Sequence, residues 1–229
     1  MSSILIATRN KHKVEEIRAI LDVQYQFLTL ADFEGAPSIT EDAPDFVGNA
    51  TKKAVSLANW LAHQYNRKGV QFVLADDSGL EVDALNGAPG VHSARFAALD
   101  SGKPGNSFDA DNNAKLLRLL ADVPNDKRTG RFKCVIALTP VASQDPEVSS
   151  PVCSANEAEL STETFEGTCE GKILEAPHGT HGFGYDPLFV PNGFLQTFAE
   201  LGDELKNRIS HRAKALEKLQ QALNSRAST

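Results

Sequence analysis

A chain of 229 residues with 41% hydrophobic and 23% charged residues is long enough to bury a core and balanced like a globular enzyme, which excludes a disordered or fibrous protein. A net charge of −7 argues against long nucleic acids as the main partner, because a phosphate backbone needs a broad basic face. No apolar run approaches the ~20 residues of a bilayer crossing, and the first residues lack a basic lead-in and a secretory core, so no membrane partner and a cytosolic location are expected. The charge is unevenly spread: residues 140–175 hold eight acids and one lysine, whereas 201–229 hold six Lys/Arg against three acids. Arg9, Lys11, Lys13 and Arg18 crowd the first eighteen residues. Two basic segments in an acidic chain suit a small anionic ligand better than a polymer. The cysteines, Cys134, Cys153 and Cys169, are odd in number and lack metal-clip spacing, so free thiols are expected.

Along the chain, Ser3–Ala7 is an apolar, β-branched run and predicts a buried strand. Thr8-Arg9-Asn10 ends it, Asn10 is a good N-cap, and Val14, Ile17 and Leu21 recur at helical spacing. Tyr25–Leu30 predicts a second strand and Glu34–Pro44 a loop. Phe46, Ala50, Ala54, Leu57 and Leu61 form one face of a helix that ends before Gly69. Gln71–Ala75 predicts a strand running into Asp76-Asp77, with Leu80–Leu85 a candidate further strand. Asn86–Gly90 is a turn by composition, and 99–108 reads as a mobile surface loop. Ala114–Leu120 is helical, Arg131–Thr139 a strand, 140–160 a loop or hairpin tip, and Thr162–Glu170 a strand. A glycine-rich stretch, Gly179–Asp186, precedes the short apolar run Pro187–Val190. Leu205, Ile209, Leu216, Leu219 and Leu223 fit one final amphipathic helix, in which Ser210 is a cap or a kink. The alternation predicts an α/β fold with a mixed central sheet flanked by helices, and no linker divides the chain.

Five segments carry chemistry. Asp76-Asp77-Ser78-Gly79 sets two carboxylates at the end of a buried strand, where they are costly without a cation. Hard oxygen ligands beside a glycine suit Mg²⁺, with one aspartate facing the metal and the other orienting the turn. The plain alternative is a simple turn. Glu41, in the loop before a helix, is placed to reach the same metal, against the plain reading of a solvated acid. Thr8-Arg9-Asn10-Lys11-His12-Lys13 sets lysines and helix-start amides where an anion binds, though without the glycines of a P-loop. In Gly182-Phe183-Gly184-Tyr185-Asp186-Pro187, glycines permit close backbone approach, and Phe183 or Tyr185 could stack on a heterocycle while Asp186 accepts from ring nitrogens. The competing reading is a turn with two core aromatics. Ser210-His211-Arg212, with Lys206 one turn earlier, could bond a purine edge or a phosphate, or form an ordinary basic face. His178 and His181 are a weak zinc hint at best, and no serine elbow or cysteine nucleophile context is present.

In this order, and together with Gly87-Ala88-Pro89-Gly90-Val91-His92-Ser93-Ala94-Arg95, these segments resemble the noncanonical purine nucleoside triphosphate pyrophosphatase family, also called inosine triphosphate or XTP/dITP pyrophosphatase. The match runs from residue 4 to about residue 220. The resemblance implies hydrolysis of ITP, dITP and XTP to the monophosphate and pyrophosphate, with Mg²⁺ as cofactor. It implies a long mixed central sheet between two helical lobes with the site in the cleft, and a homodimer. Carried over by motif, Asp77 is the proton acceptor and a magnesium ligand, and Glu41 helps hold the metal. Thr8, Arg9, Asn10, Lys11, His12 and Lys13 hold the phosphates with Lys53. Ser78, Phe183, Gly184, Tyr185, Asp186, Lys206, His211 and Arg212 bind substrate, the last few near the base. The chain departs from the pattern at Gly48, where members often carry Glu, and at His181-Gly182, where they carry Gly-Gly. The segments 99–108 and 141–160 are longer than the family's. Two rivals remain: a house-cleaning pyrophosphatase for modified pyrimidines, and a nucleotide sensor without turnover.

Overall fold

The computed structural model describes residues 3–21, 25–64, 67–102, 105–142 and 158–227. Among these residues six strands form one sheet in the order β2-β1-β3-β4-β5-β6, with β1 Ser3–Ile6, β2 Gln26–Thr29, β3 Val70–Val82, β4 Thr129–Pro140, β5 Glu163–Ile173 and β6 Phe189–Pro191. β1 pairs parallel with both β2 (Ile4 opposite Phe27) and β3 (Ile4 opposite Phe72), whereas β5 and β6 are antiparallel (Lys172 opposite Val190). The sheet is therefore mixed, as expected. Its helices are α1 Lys11–Ile20, α2 Phe46–Ala62, α3 Ala98–Ser101, α4 Asp109–Leu119, α5 Phe198–Ile209 and α6 His211–Ala227. Among the described residues no helix is long and apolar enough to cross a membrane.

The chain divides into two compact units, one of Met1–Asp77, Val135–Glu166 and Leu216–Thr229, the other of Ser78–Cys134 and Gly167–Ala215. In the first, every residue of β1 is buried, which suits a parallel strand paired on both edges. The predicted apolar face of α2 is inside: Phe46, Ala50, Ala54, Leu57 and Leu61 are all buried. Asn10 caps α1, its side chain accepting from the Lys13 amide, as the sequence indicated. In the second unit the core gathers Leu80, Phe96, Leu116, Phe132, Tyr185 and Phe189, with other apolar side chains around them. Gly167 lets β5 meet α6 closely: a Cβ there would lie 2.0 Å from the His211 carbonyl oxygen.

Four expectations are corrected. The strand does not end at Asp76-Asp77. β3 runs unbroken from Val70 to Val82, so Asp76-Asp77-Ser78-Gly79 is strand rather than turn, and Leu80–Val82 completes it before a 3₁₀ turn at Asp83–Leu85. Ser93 supports the continuation, its Oγ accepting from the Leu80 amide at 2.9 Å. The final helix is two helices, parted at Ser210, which is the cap rather than the kink of the two readings. Ser210, with ψ 166°, closes α5, its amide donating to the Lys206 carbonyl, and then accepts from the Ala213 amide to start α6. α5 begins earlier than its apolar spacing suggests, at a Thr197–Glu200 capping box. The stretch 99–108 includes the helical turn α3. Residues 103–104 and most of the predicted loop 140–160, namely 143–157, lie outside the described residues, and 158–160 are helical.

Candidate active site

In the first unit, β3 delivers two adjacent buried carboxylates, and each has its own lysine. Asp76 pairs with the Lys13 ammonium, which arrives from the first turn of α1. Lys53, on the buried face of α2, donates to Glu41 Oε1 at 2.8 Å, to Asp77 Oδ1 at 3.1 Å and to the Asp76 carbonyl at 2.7 Å. Three acceptors saturate its three donors. Burial works against the Lys53 charge, but Asp77, Glu41 and Asp76 outweigh it and hold its pKa above the ordinary lysine value. Asp77 is raised above the ordinary carboxylate range. Burial is the chief cause and Glu41 adds to it, against the opposing pull of Lys53 and Lys13. Its second oxygen, Oδ2, is buried and has no hydrogen-bond partner. An ionised oxygen so placed is costly unless a cation or a proton reaches it.

The loop that carries Glu41 is tied to α2. Asn49, fully buried, accepts from the Ala43 amide at 2.9 Å, and Lys52 pairs with Asp42 at 2.5 Å. Gly48 contributes no carboxylate, and a Cβ there would meet Ala43 Cβ at 2.8 Å. The Thr8–Lys13 segment forms the start of α1. Thr8 Oγ1 accepts from the Asn10 amide, Arg9 donates to the Ala36 carbonyl at 3.2 Å, and Lys11 and His12 are exposed. His12 faces Glu15 at 3.8 Å. The motif favours Asp77 over Asp76, yet Asp76 carries its own signal: a fully buried acid demands a cation, and Lys13 sits in the basic turn after β1.

In the second unit, Asp186 Oδ2 accepts from Lys206 at 2.5 Å, with both side chains nearly inaccessible, and from the Phe183 amide at 2.9 Å. The Lys206 ammonium lies 4.5 Å from the centre of the Phe183 ring, and the Arg212 guanidinium 5.9 Å from it. Arg212, buried, donates to Ser78 Oγ at 2.9 Å. These residues, scattered from 78 to 212, come together as the sequence reading grouped them. Two members face inward instead. Tyr185 is a core residue whose hydroxyl donates to the Ser93 carbonyl at 2.9 Å, so Phe183, half-buried, is the aromatic left for stacking. His211 is buried and stacks on Phe132, with ring centres 4.8 Å apart and planes 12° apart. Gly182 and Gly184 both have left-handed φ, 75° and 63°, and a Cβ on Gly182 would strike Asp186 Oδ2 at 2.2 Å.

No thiol offers a nucleophile among the described residues. Cys134 and Cys169 are buried, and burial pushes the Cys169 thiol up to about 11. Nor do three His, Cys, Asp or Glu side chains converge as a closed metal cluster there.

A protein named dITP/XTP pyrophosphatase from Desulforamulus reducens is 46% identical over 222 residues, which cover 96% of this chain and 95% of its own. One of the same name from Geobacter sulfurreducens is 45% identical over 217 residues, covering 94% of each. The solved structure of a HAM1 protein from Coxiella burnetii superposes with a TM-score of 0.76 at 36% identity, covering 98% of this chain and all of that one. The family model described as the Ham1 family matches residues 4–222, and the chain belongs to that family.

Proposed function

We propose that this chain hydrolyses noncanonical purine nucleoside triphosphates such as ITP, dITP and XTP to the monophosphate and pyrophosphate. The substrate class follows the relatives named dITP/XTP pyrophosphatase. The chemistry is carried by one observation: a buried Asp77 Oδ2 without a partner, on a carboxylate whose other oxygen is held by Lys53.

The donor set fits Mg²⁺. Glu41 and Asp77 supply hard oxygens, Oδ2 lacks a partner, and the three carboxylates Glu41, Asp76 and Asp77 face the two ammoniums of Lys13 and Lys53, leaving one negative charge. Two carboxylates without a third protein ligand suit a cation that keeps waters and takes substrate oxygens. When bound, magnesium neutralises triphosphate charge and polarises the attacked phosphorus. Asp77 accepts the proton of the attacking water. Lys53 orients it through Oδ1, and its raised pKa makes it a stronger base than an ordinary aspartate. Thr8 to Lys13 and Lys53 serve the phosphates through the helix-start amides and lysine charge.

The residues around Phe183 serve the base. Phe183 offers a ring face, and Lys206 and Arg212 supply positive charge and donors. A 6-oxo purine accepts such donors, whereas the 6-amino group of adenine opposes them. Tyr185, Asp186 and His211 hold this arrangement from within, and Gly184 contributes backbone.

Pyrophosphate release from ITP, XTP, dITP, ATP and dUTP, with and without Mg²⁺, tests the reading. Magnesium-dependent release confined to the deaminated purines is expected, and a preference for dUTP would overturn it. Asp77→Asn should keep the circular dichroism of the wild type and lose about 10²–10⁴ in kcat. Near-normal turnover would sink the assigned base.

A further inference from the structure

Two residues of α4 hold the backbone of Gly184 at both of its polar groups, its N–H and its C=O, and so tie two consecutive peptides of the glycine-rich segment. Asp109 Oδ2 accepts from the Gly184 amide at 2.7 Å, and Asn113 Nδ2 donates to the Gly184 carbonyl at 3.0 Å. They stand four residues apart, and so on one face of the helix. We propose that Asp109 and Asn113 are positioning residues that clamp the Gly184 backbone, through its N–H and its C=O, and so hold Phe183 against Lys206 and Arg212. The inference deepens the proposed base-binding role of this segment and rests on it.

The helix is built at the expense of its own start. Its N-cap is Phe108, which has no capping side chain and is 82% exposed. The first acid of the helix turns its carboxylate to Gly184, and the hydroxyl nearest the cap, on Ser107, is taken by the Ala98 amide. Asn113 is as telling: its Oδ1 is buried without a partner while its Nδ2 serves Gly184. An amide with one end bonded and the other bare is a poor choice for stability alone. It is explained if the donor end has a task.

The segment needs holding. Gly182 and Gly184 flank Phe183, both with left-handed φ and neither with a side chain to restrict it. Asp186 fixes the Phe183 amide, and Ser93 fixes the Tyr185 hydroxyl. At Gly184 itself the ties come from α4. On this proposal, rotation of either peptide flanking Gly184 Cα would carry the Phe183 ring away from its two cations.

The test pairs Asp109→Ala and Asn113→Ala with the conservative Asp109→Asn, whose carboxamide can still accept from the Gly184 amide. Amide hydrogen exchange over residues 182–186 is measured in the nucleotide-free protein, and KM and kcat are measured with ITP. In both alanine variants exchange should speed up about fivefold and KM rise about fivefold, the factor one exposed hydrogen bond of ordinary strength supplies. kcat should stay within twofold, and Asp109→Asn should recover both readouts. Wild-type exchange in Asp109→Ala, or faster exchange with an unchanged KM, would overturn the clamp. Failure of the functional reading looks different: the wild type and every variant would then release no pyrophosphate from ITP.

Discussion

Lys53→Met is the most informative perturbation of the acidic site. It keeps the apolar stem in the helix face and removes only the ammonium, stranding three acceptors. Removing one partner of a buried ion pair destabilises by about 3–5 kcal/mol. The Glu41 side chain is 35% exposed and can turn to water, so its bond is discounted to about 1 kcal/mol. Asp77, 8% exposed, and the Asp76 carbonyl cannot do so. The lower end, about 3 kcal/mol, is therefore expected, and for a chain of this length that lowers Tm by about 6–12 °C.

The pH dependence distinguishes this account from simple loss of packing. In the wild type the Lys53 pKa is raised, so its contribution is full below its unfolded value and is lost only as pH rises through the folded one, far above neutrality. In the variant, Asp77 loses the cation that was pulling its pKa down, so burial raises it further. A raised acid favours the fold below its unfolded value of 3.8, and that support is lost as pH climbs through the folded value. The stability gap between wild type and variant should be widest near pH 7 and narrow toward pH 4. Millimolar Mg²⁺ should narrow it at neutral pH, since a divalent cation answers the same carboxylates. Thermal melts at pH 7.5 and 4.5, with EDTA or with Mg²⁺, measure all of this. A gap below about 0.5 kcal/mol, or one indifferent to pH and metal, would refute the reasoning.

Two other outcomes follow from the same geometry. In metal-free protein, NMR titration of side-chain carboxyls should place Asp77 above 3.8, and above it again in Lys53→Met; a normal or depressed value would contradict the dominance of burial. Arg128 is buried and its guanidinium donates to the carbonyls of Val123, Leu120 and Leu174, so Arg128→Met should cost about 2–4 kcal/mol by denaturant unfolding and leave the KM for ITP unchanged.

What could be read in the sequence was what local rules decide. Asn10 as a cap, the apolar stripe of α2 and the break at Ser210 each depend on residues within one or two turns. The continuation of β3 through two aspartates and a glycine could not be read that way. The lysines that make it tolerable lie 63 residues away at Lys13 and 24 away at Lys53, and the hydroxyl that takes the Leu80 amide lies 13 beyond. Tyr185 shows the same limit. An aromatic between glycines reads alike as ligand platform or core, and the carbonyl that settles it is 92 residues away at Ser93. The start of α5 was legible in Thr197-x-x-Glu200, but Gly202, with φ 77°, interrupts the helical period that would have drawn attention to it.

The Lys206–Asp186 and Lys53–Asp77 pairs differ in a way that sorts their roles. Asp186 Oδ2 takes both the Lys206 ammonium and the Phe183 amide, and the pair fixes a loop. Asp77 is incomplete. Lys53 takes Oδ1, while Oδ2 is equally buried and has no partner. Were Lys53 there only to neutralise Asp77, a donor on Oδ2 would improve the fold, since an unsatisfied buried acceptor is costly. Its absence keeps the carboxylate short of solvation and raises its pKa, which is what a proton acceptor needs and a structural pair does not. The same bare oxygen invites a cation. Proton acceptance and metal binding thus draw on one local deficit, created where β3 buries an acid without fully satisfying it.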